Sequence, residues 1–249
     1  MNINPLRSAR SLLVAALPVL ALAATQSDAG ISFQTGSDFM ITDRVLEGTA
    51  KVFDLNGSPT TLTAYNTIVN GSFQTHDNST VIGHHITTSQ NLQFYNNSQS
   101  EFNNSSVGNS VLGYNNAEFT LNNSSVDMHV LTYNNSNATI ISTTISGTVA
   151  AYNDSTITLK EGSLPVDGIT TFASALVIIE AMSFDQGFGL LQGTGTITGQ
   201  LTNGERFSVN YQTHDESSIQ LVGTTSVPAP GALAVLGLAA LPLSRSRRR

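Results

Sequence analysis

The sequence predicts an all-β protein: a single-stranded, right-handed parallel β-helix (a β-solenoid) with coils of about 19 residues, preceded by a signal helix and followed by a hydrophobic helix. Three observations carry this reading. Tyr95, Tyr114, Tyr133 and Tyr152 stand 19 residues apart. Apolar residues recur at fixed offsets from each tyrosine, with polar neighbours between them. Each end of the chain carries an apolar run next to arginines. The chain thus divides into a signal peptide (1–29), a solenoid (30–226, most regular over 76–164) and a sorting or anchor segment (227–249).

Each tyrosine opens a similar turn: Tyr95-Asn96-Asn97-Ser98, Tyr114-Asn115-Asn116-Ala117, Tyr133-Asn134-Asn135-Ser136 and Tyr152-Asn153-Asp154-Ser155. His76-Asp77-Asn78-Ser79 fills the same slot one period earlier. Seven residues after each tyrosine come Phe102, Leu121, Ile140 and Leu159, and twelve after come Val107, Val126, Ile145 and Leu164. Short alternation of this kind marks strands of three or four residues with one buried face. Clusters of Asn, Ser and Gly between them have the composition of turns.

Stacking such coils about 4.8 Å apart turns equivalent positions into ladders. The apolar ladders become a continuous core. Asn96, Asn115, Asn134 and Asn153 are expected to hydrogen-bond from coil to coil, and the four tyrosines to form an aromatic stack at one corner. Right-handed winding is preferred because left-handed solenoids usually show a six-residue subrepeat, and none is visible here. The flanks, 30–75 and 170–226, are read as degenerate coils plus caps, since open solenoid ends expose sheet edges. One echo brackets the array: Phe73-Gln74-Thr75-His76-Asp77 returns as Tyr211-Gln212-Thr213-His214-Asp215.

The N-terminus reads as a secretory signal. Arg7 and Arg10 precede the apolar run Leu12–Ala24, and Ser27-Asp28-Ala29 offers a small-x-small cleavage site. At the other end, Val227-Pro228-Ala229-Pro230 is held extended by its prolines. Gly231 to Leu243 is apolar apart from Pro242, and Arg245, Arg247, Arg248 and Arg249 close the chain. Positive charge after an apolar run stays on the cytoplasmic side, so this segment is expected to insert transiently in the inner membrane with the body outside.

A short proline motif, an apolar stretch and a terminal arginine cluster resemble the PEP-CTERM sorting signal of exported bacterial proteins, over about 23 residues. Ala229 stands where that family usually has Glu. The resemblance implies recognition by an exosortase-like processing enzyme, removal of the tail, and delivery to the cell surface or extracellular matrix. The body between the signals is similar to the β-helix of pectin-lyase-like proteins.

Composition narrows the function. The chain has no Cys, which excludes disulfides, zinc–thiolate sites and Cys nucleophiles. Trp is absent too, removing the commonest sugar-stacking platform. Residues 30–226 hold 4 basic and 16 acidic side chains, a net charge of −12 that repels phosphate backbones, so no nucleic-acid partner is expected.

Polysaccharide lyases and glycoside hydrolases also use right-handed β-helices. A lyase base is hard to find, however, because no Lys or Arg lies between Lys51 and Lys160. A hydrolase needs carboxylates about 5–10 Å apart. Asp77, Asp127 and Asp154 fall in different slots, and Glu101 and Glu118 share a strand face but are offset by two residues. His84 and His85 adjoin, and neighbours on one regular strand point to opposite faces. The outward Thr120, Thr139 and Thr158 form too interrupted an array to bind ice, and Gly193-Thr194-Gly195 reads as strand rather than as a nucleotide turn. The expectation is therefore a structural or adhesive surface protein without catalytic residues, metal or cofactor, whose partners include exopolysaccharide or other matrix components. The alternative is a carbohydrate-active β-helix enzyme with its site in the irregular flanks.

Overall fold

The computed structural model describes residues 30–34 and 36–224. Their regular structure is entirely β-strand, wound into a solenoid of about eight turns with a spacing near 19 residues. The terminal segments expected to be helical lie outside the described residues, as do Val227, Pro228, Ala229, Pro230, Arg245, Arg247, Arg248 and Arg249.

A regular coil contributes one strand to each of three sheets. In the fourth coil these strands are Leu92–Phe94, Gln99–Asn103 and Ser106–Val107. Their lengths are three, five and two residues, where three or four were expected. We number the sheets 1, 2 and 3 in that order; they hold 11, 10 and 6 strands. Pairing between regular coils is parallel and in register, with Val111 on Val130, Leu121 on Ile140 and Val126 on Ile145.

The corners explain the asparagines. Asn96, Asn115, Asn134 and Asn153 have φ between 59° and 61°, and a second corner places Asn104, Asn123 and Ser142 at 46° to 52°. Among L-residues Asn visits this left-handed region most readily, because its short amide bonds locally. At the third corner, side chains of one coil accept backbone N–H groups of the next: Asn91 from Ser110 and His129 Nδ1 from Thr148, each at 3.0 Å.

Inside, alternation drives every second strand residue into a common core. Phe73, Phe94 and Phe102 are fully buried. Two glycines make room for rings: a Cβ on Gly83 would lie 2.7 Å from Phe102, and one on Gly113 2.7 Å from Phe119. Buried hydroxyls satisfy the backbone at the second corner. Ser105, Ser124, Thr143 and Ser163 each accept an N–H from the preceding coil, at 3.0–3.3 Å. An unpaired buried N–H there would cost about 1–3 kcal/mol.

Departures from the period fall at turns. Ala50 pairs with Phe73, 23 residues on, because the exposed residues 55–59 bulge out through a tight turn closed by Leu55 and Ser58. Gly162 (φ 84°) adds one residue, so the slot after Ile145 is filled by buried Pro165 and not by Leu164, as the spacing had suggested. Ile169 pairs with Tyr211, 42 residues on. The intervening segment carries antiparallel strands Gly189–Leu191 and Thr194–Gln200, which cover the C-terminal ends of sheets 2 and 1. The flanks are thus further coils, as expected; among the described residues a cap covers the C-terminal end, while β-strands Ile31–Phe33 and Asp38–Thr42 are the first of sheets 1 and 2, and Thr194 begins a strand.

Candidate functional site

The corner between sheets 1 and 2 carries the repeat's most distinctive side chains. Tyr95, Tyr114 and Tyr133 follow, and Tyr152 ends, a sheet 1 strand whose neighbours are fixed by backbone pairing, so the rings stand one above another at the inter-coil spacing. The stack has eight members: Phe53, His76, Tyr95, Tyr114, Tyr133, Tyr152, Phe172 and His214. Successive centroids are 4.5–5.1 Å apart and ring planes diverge by 1° to 18°. Stacked pairs of this kind contribute about 0.5–1.5 kcal/mol each beyond burial. The sequence echo is explained here, since His76 and His214 occupy the same slot near opposite ends.

Beside the rings run two amide ladders. Nδ2 of Asn153, Asn134 and Asn115 donates to Oδ1 of Asn134, Asn115 and Asn96, each at 2.9 Å. Asn96 in turn donates to Asp77 at 2.7 Å. The second ladder steps from Asn135 through Asn116, Asn97 and Asn78 to Asp54. Both therefore point the same way, with each NH₂ toward the N-terminal end, where an acceptor-only carboxylate receives the last one. Their N-terminal halves floor an open groove of about 520 Å³ lined by Asp54, Asp77, Asn78, Asn96, Asn97, Asn115 and Asn116.

Asp154 sits at the opposite end of the second ladder, above an Asn135 whose NH₂ already donates downward. A carboxylate cannot donate to the Oδ1 that is left. Asp154→Asn is expected to extend the ladder and raise stability by about 0.5–1 kcal/mol, seen as a higher urea midpoint; an unchanged or lower midpoint would show that ladder length contributes nothing.

The electrostatics of the stack follow from its half-burial. Burial, reinforced by neighbouring phenols, raises the pKa of Tyr95 and Tyr133, and burial alone raises that of Tyr114. At neutral pH these hydroxyls stay protonated and both donate and accept. Ring faces are covered by the next ring, so a sugar meets hydroxyls, ring edges and amides here, not an open stacking platform.

His76 is held below its ordinary imidazole value, first by burial, against Asp77 and with some help from Lys51. A lowered folded pKa means that the unfolded chain takes the proton more readily. This contribution to stability is complete above about pH 6.5 and is lost as pH falls from there through the folded value. His76→Tyr is expected to flatten that loss, measured as urea midpoints on either side of about pH 6.5. An identical acid loss in the variant would assign it elsewhere.

The remaining sequence candidates are placed as follows. His84 ends a sheet 2 strand and stacks on Tyr65 at 4.9 Å, while His85 sits in the following left-handed turn (φ 54°) and is exposed. The two are therefore not neighbours within one regular strand. Among the described residues no group of three or more His, Asp or Glu side chains is placed to hold a metal. Asp77 and Asp154 lie in different ladders, and Asp127 is exposed at the third corner.

Glu101 and Glu118 do share the outer face of sheet 2. Glu101 pairs with Thr120 and Glu118 with Gln99, so their Cα positions are diagonal, about 8 Å apart from strand spacing and rise. They line one shallow depression with Gln99, Thr120, Asn137 and Thr139. Glu101 is engaged by Asn103 Nδ2 at 2.7 Å. The carboxylate pair thus lies in the regular coils, not in the flanks. The shared strand face was visible in the sequence, where the two-residue offset counted against the pair; the depression joining them depends on the sheet's shape.

No protein-family model, curated protein or solved structure matches the chain.

Proposed function

We propose that this is an exported cell-surface or extracellular-matrix protein with a structural or adhesive role, wound right-handedly and sorted through its tail by an exosortase-like enzyme. The observation that carries the proposal is the arrangement of the solenoid corner. Amides and phenols there repeat outward in unbroken columns, on a body flanked by an export signal and a PEP-CTERM-like tail. Each ladder amide uses one N–H within the ladder and keeps a second for a ligand. Many such weak polar contacts along one column sum by avidity. The acidic body favours neutral or cationic matrix polymers over anionic ones.

The test is intact-mass spectrometry of the protein recovered from its native cells, fraction by fraction. A surface or matrix form lacking both terminal segments is the expected result. A full-length C-terminus found only in membranes would overturn the sorting reading. The Glu101–Glu118 pair, on one face and lining one depression, favours a second reading, a glycoside hydrolase that uses two carboxylates. Release of reducing ends from a matrix polysaccharide by the native protein, lost on Glu118→Gln, would replace the adhesive reading with this one.

A further inference from the structure

The outer face of sheet 2 changes character where the chain leaves the solenoid. One outward column runs Asn137, Thr156 and then Leu176; the next runs Thr139, Thr158 and then Ile178. In the last layers Gln220 pairs with Leu190 of the cap strand, and outward Val222 follows on the same face. Phe188, two residues before Leu190, turns to the end of the core instead: its ring meets buried Phe184 edge-on at 5.7 Å and covers Gly223, the partner of inward Ala181, whose Cβ would stand 2.9 Å from the ring. Phe188 is 61% exposed, Leu190 68% and the nearby Met182 52%. In the body's longest apolar run, Ala175, Val177 and Ile179 face the core while Leu176 and Ile178 stand on the outer face, one layer before Ser218 and Gln220.

The position of the patch selects its occupant. Thr224, the last described residue, is still bonded to Ala181, beside Met182 and next to the residue that Phe188 covers. Only residues 225–230 then separate the solenoid from the apolar run that starts at Gly231. Seven peptide steps reach roughly 25 Å at most. When that run is inserted, the patch is tethered within that distance of the bilayer surface. The rim is polar and includes two ion pairs, Lys160 with Glu180 at 3.1 Å and Arg206 with Asp185 at 2.6 Å. An exposed apolar patch with a polar rim marks an interaction surface. Aromatic and aliphatic side chains on such a patch are suited to the headgroup–acyl boundary.

We propose that Phe188, Leu190 and Met182 form a membrane-resting surface that seats the C-terminal end of the solenoid on the bilayer while the tail is inserted. The proposal rests on the tail reading above and adds to it a second contact, made by the folded body. It orients the solenoid with its N-terminal coils away from the membrane and holds the segment from Thr225 to Pro230 close to the headgroups.

The test uses the full-length chain carrying Phe188→Trp, whose indole is unique because the sequence has no tryptophan. It is reconstituted into phosphatidylcholine vesicles with and without brominated acyl chains, and tail insertion is read separately by protease protection of the C-terminal arginines. The expected result is an inserted tail together with loss of most indole emission to the brominated lipid. Adding Leu190→Ser should weaken that body contact about tenfold while leaving the tail protected.

A protected tail with an indole that only aqueous iodide quenches would overturn the surface and leave the tail reading standing. An unprotected tail with a lipid-quenched indole would support the surface and remove the tail reading. Neither signal would remove both. An indole shielded without vesicles would assign the patch to a second copy if concentration-dependent, or to the chain's own tail if not, and either result would overturn the proposal.

Discussion

Deleting Thr120 is expected to abolish the folded solenoid around it, whereas inserting one glycine after Asn123 is expected to be carried at small cost. Thr120 is the centre of the strand Glu118–Asn122, between inward Phe119 and Leu121, which are 3% and 0% exposed. With side chains alternating at a period of two, removing one residue makes it impossible for both to face the core. Turning one out forfeits about 1.5–3 kcal/mol of burial, and the void it leaves raises the cost toward about 2–5 kcal/mol. The pairing with Gln99–Asn103 below and Asn137–Ile141 above is disrupted as well. Nearest-neighbour stacking is the main source of stability in such an array.

A glycine after Asn123 meets a different situation, because the corner has already absorbed this change once: Gly162 adds a residue next to the equivalent Glu161. Limited proteolysis and far-ultraviolet circular dichroism would separate the two variants. Equal resistance would mean that strands tolerate register errors as well as corners do.

Asn115→Val is expected to destabilise the protein by about 2–4 kcal/mol, and Asn115→Gly by only about 1 kcal/mol. The residue sits at φ 61°, where an L-residue without a local amide bond pays roughly 1–2 kcal/mol and a β-branched one fits worst. It is also the middle rung of a ladder, donating to Asn96 and accepting from Asn134. Each such bond contributes about 0.5–1.5 kcal/mol net, toward the low end where solvent competes. Glycine restores the backbone freedom but not the rungs, so the two urea midpoints divide the loss between conformation and ladder. Equal losses would show that the left-handed turn imposes no constraint.

How far the site was legible depends on where the period survives. Tyr95, Tyr114, Tyr133 and Tyr152 were readable as a stack because identical residues recur at one interval, and the structure stacks them. Phe53 and Phe172 belong to the same column but were not readable. The bulge at 55–59 and the extra residue at Gly162 move them off the interval, and a phenylalanine does not resemble a tyrosine turn in composition alone. His214 was visible only as an echo, since 42 residues separate Ile169 from its partner Tyr211. The amide ladders were foreseeable as ladders. Their direction was not, because an Asn side chain has a donor and an acceptor end and only the terminal Asp77 and Asp54 fix which end faces which coil.

The sequence by itself determined the period, the inward and outward alternation, the corner residues and the acidic, cysteine-free surface. These are local properties: a strand's parity and a turn's tolerance of positive φ are set within a few residues. Only the tertiary structure decided which off-period rings join the column and that Glu101 and Glu118 share a depression. It also decided that Leu176, Ile178, Val222 and Leu190 share one outer face while Phe188 covers the end of the core beside the exit of the chain. Those residues are far apart in sequence or separated by insertions, and a solenoid brings them together through stacking, which acts across coils and leaves no mark at any single position.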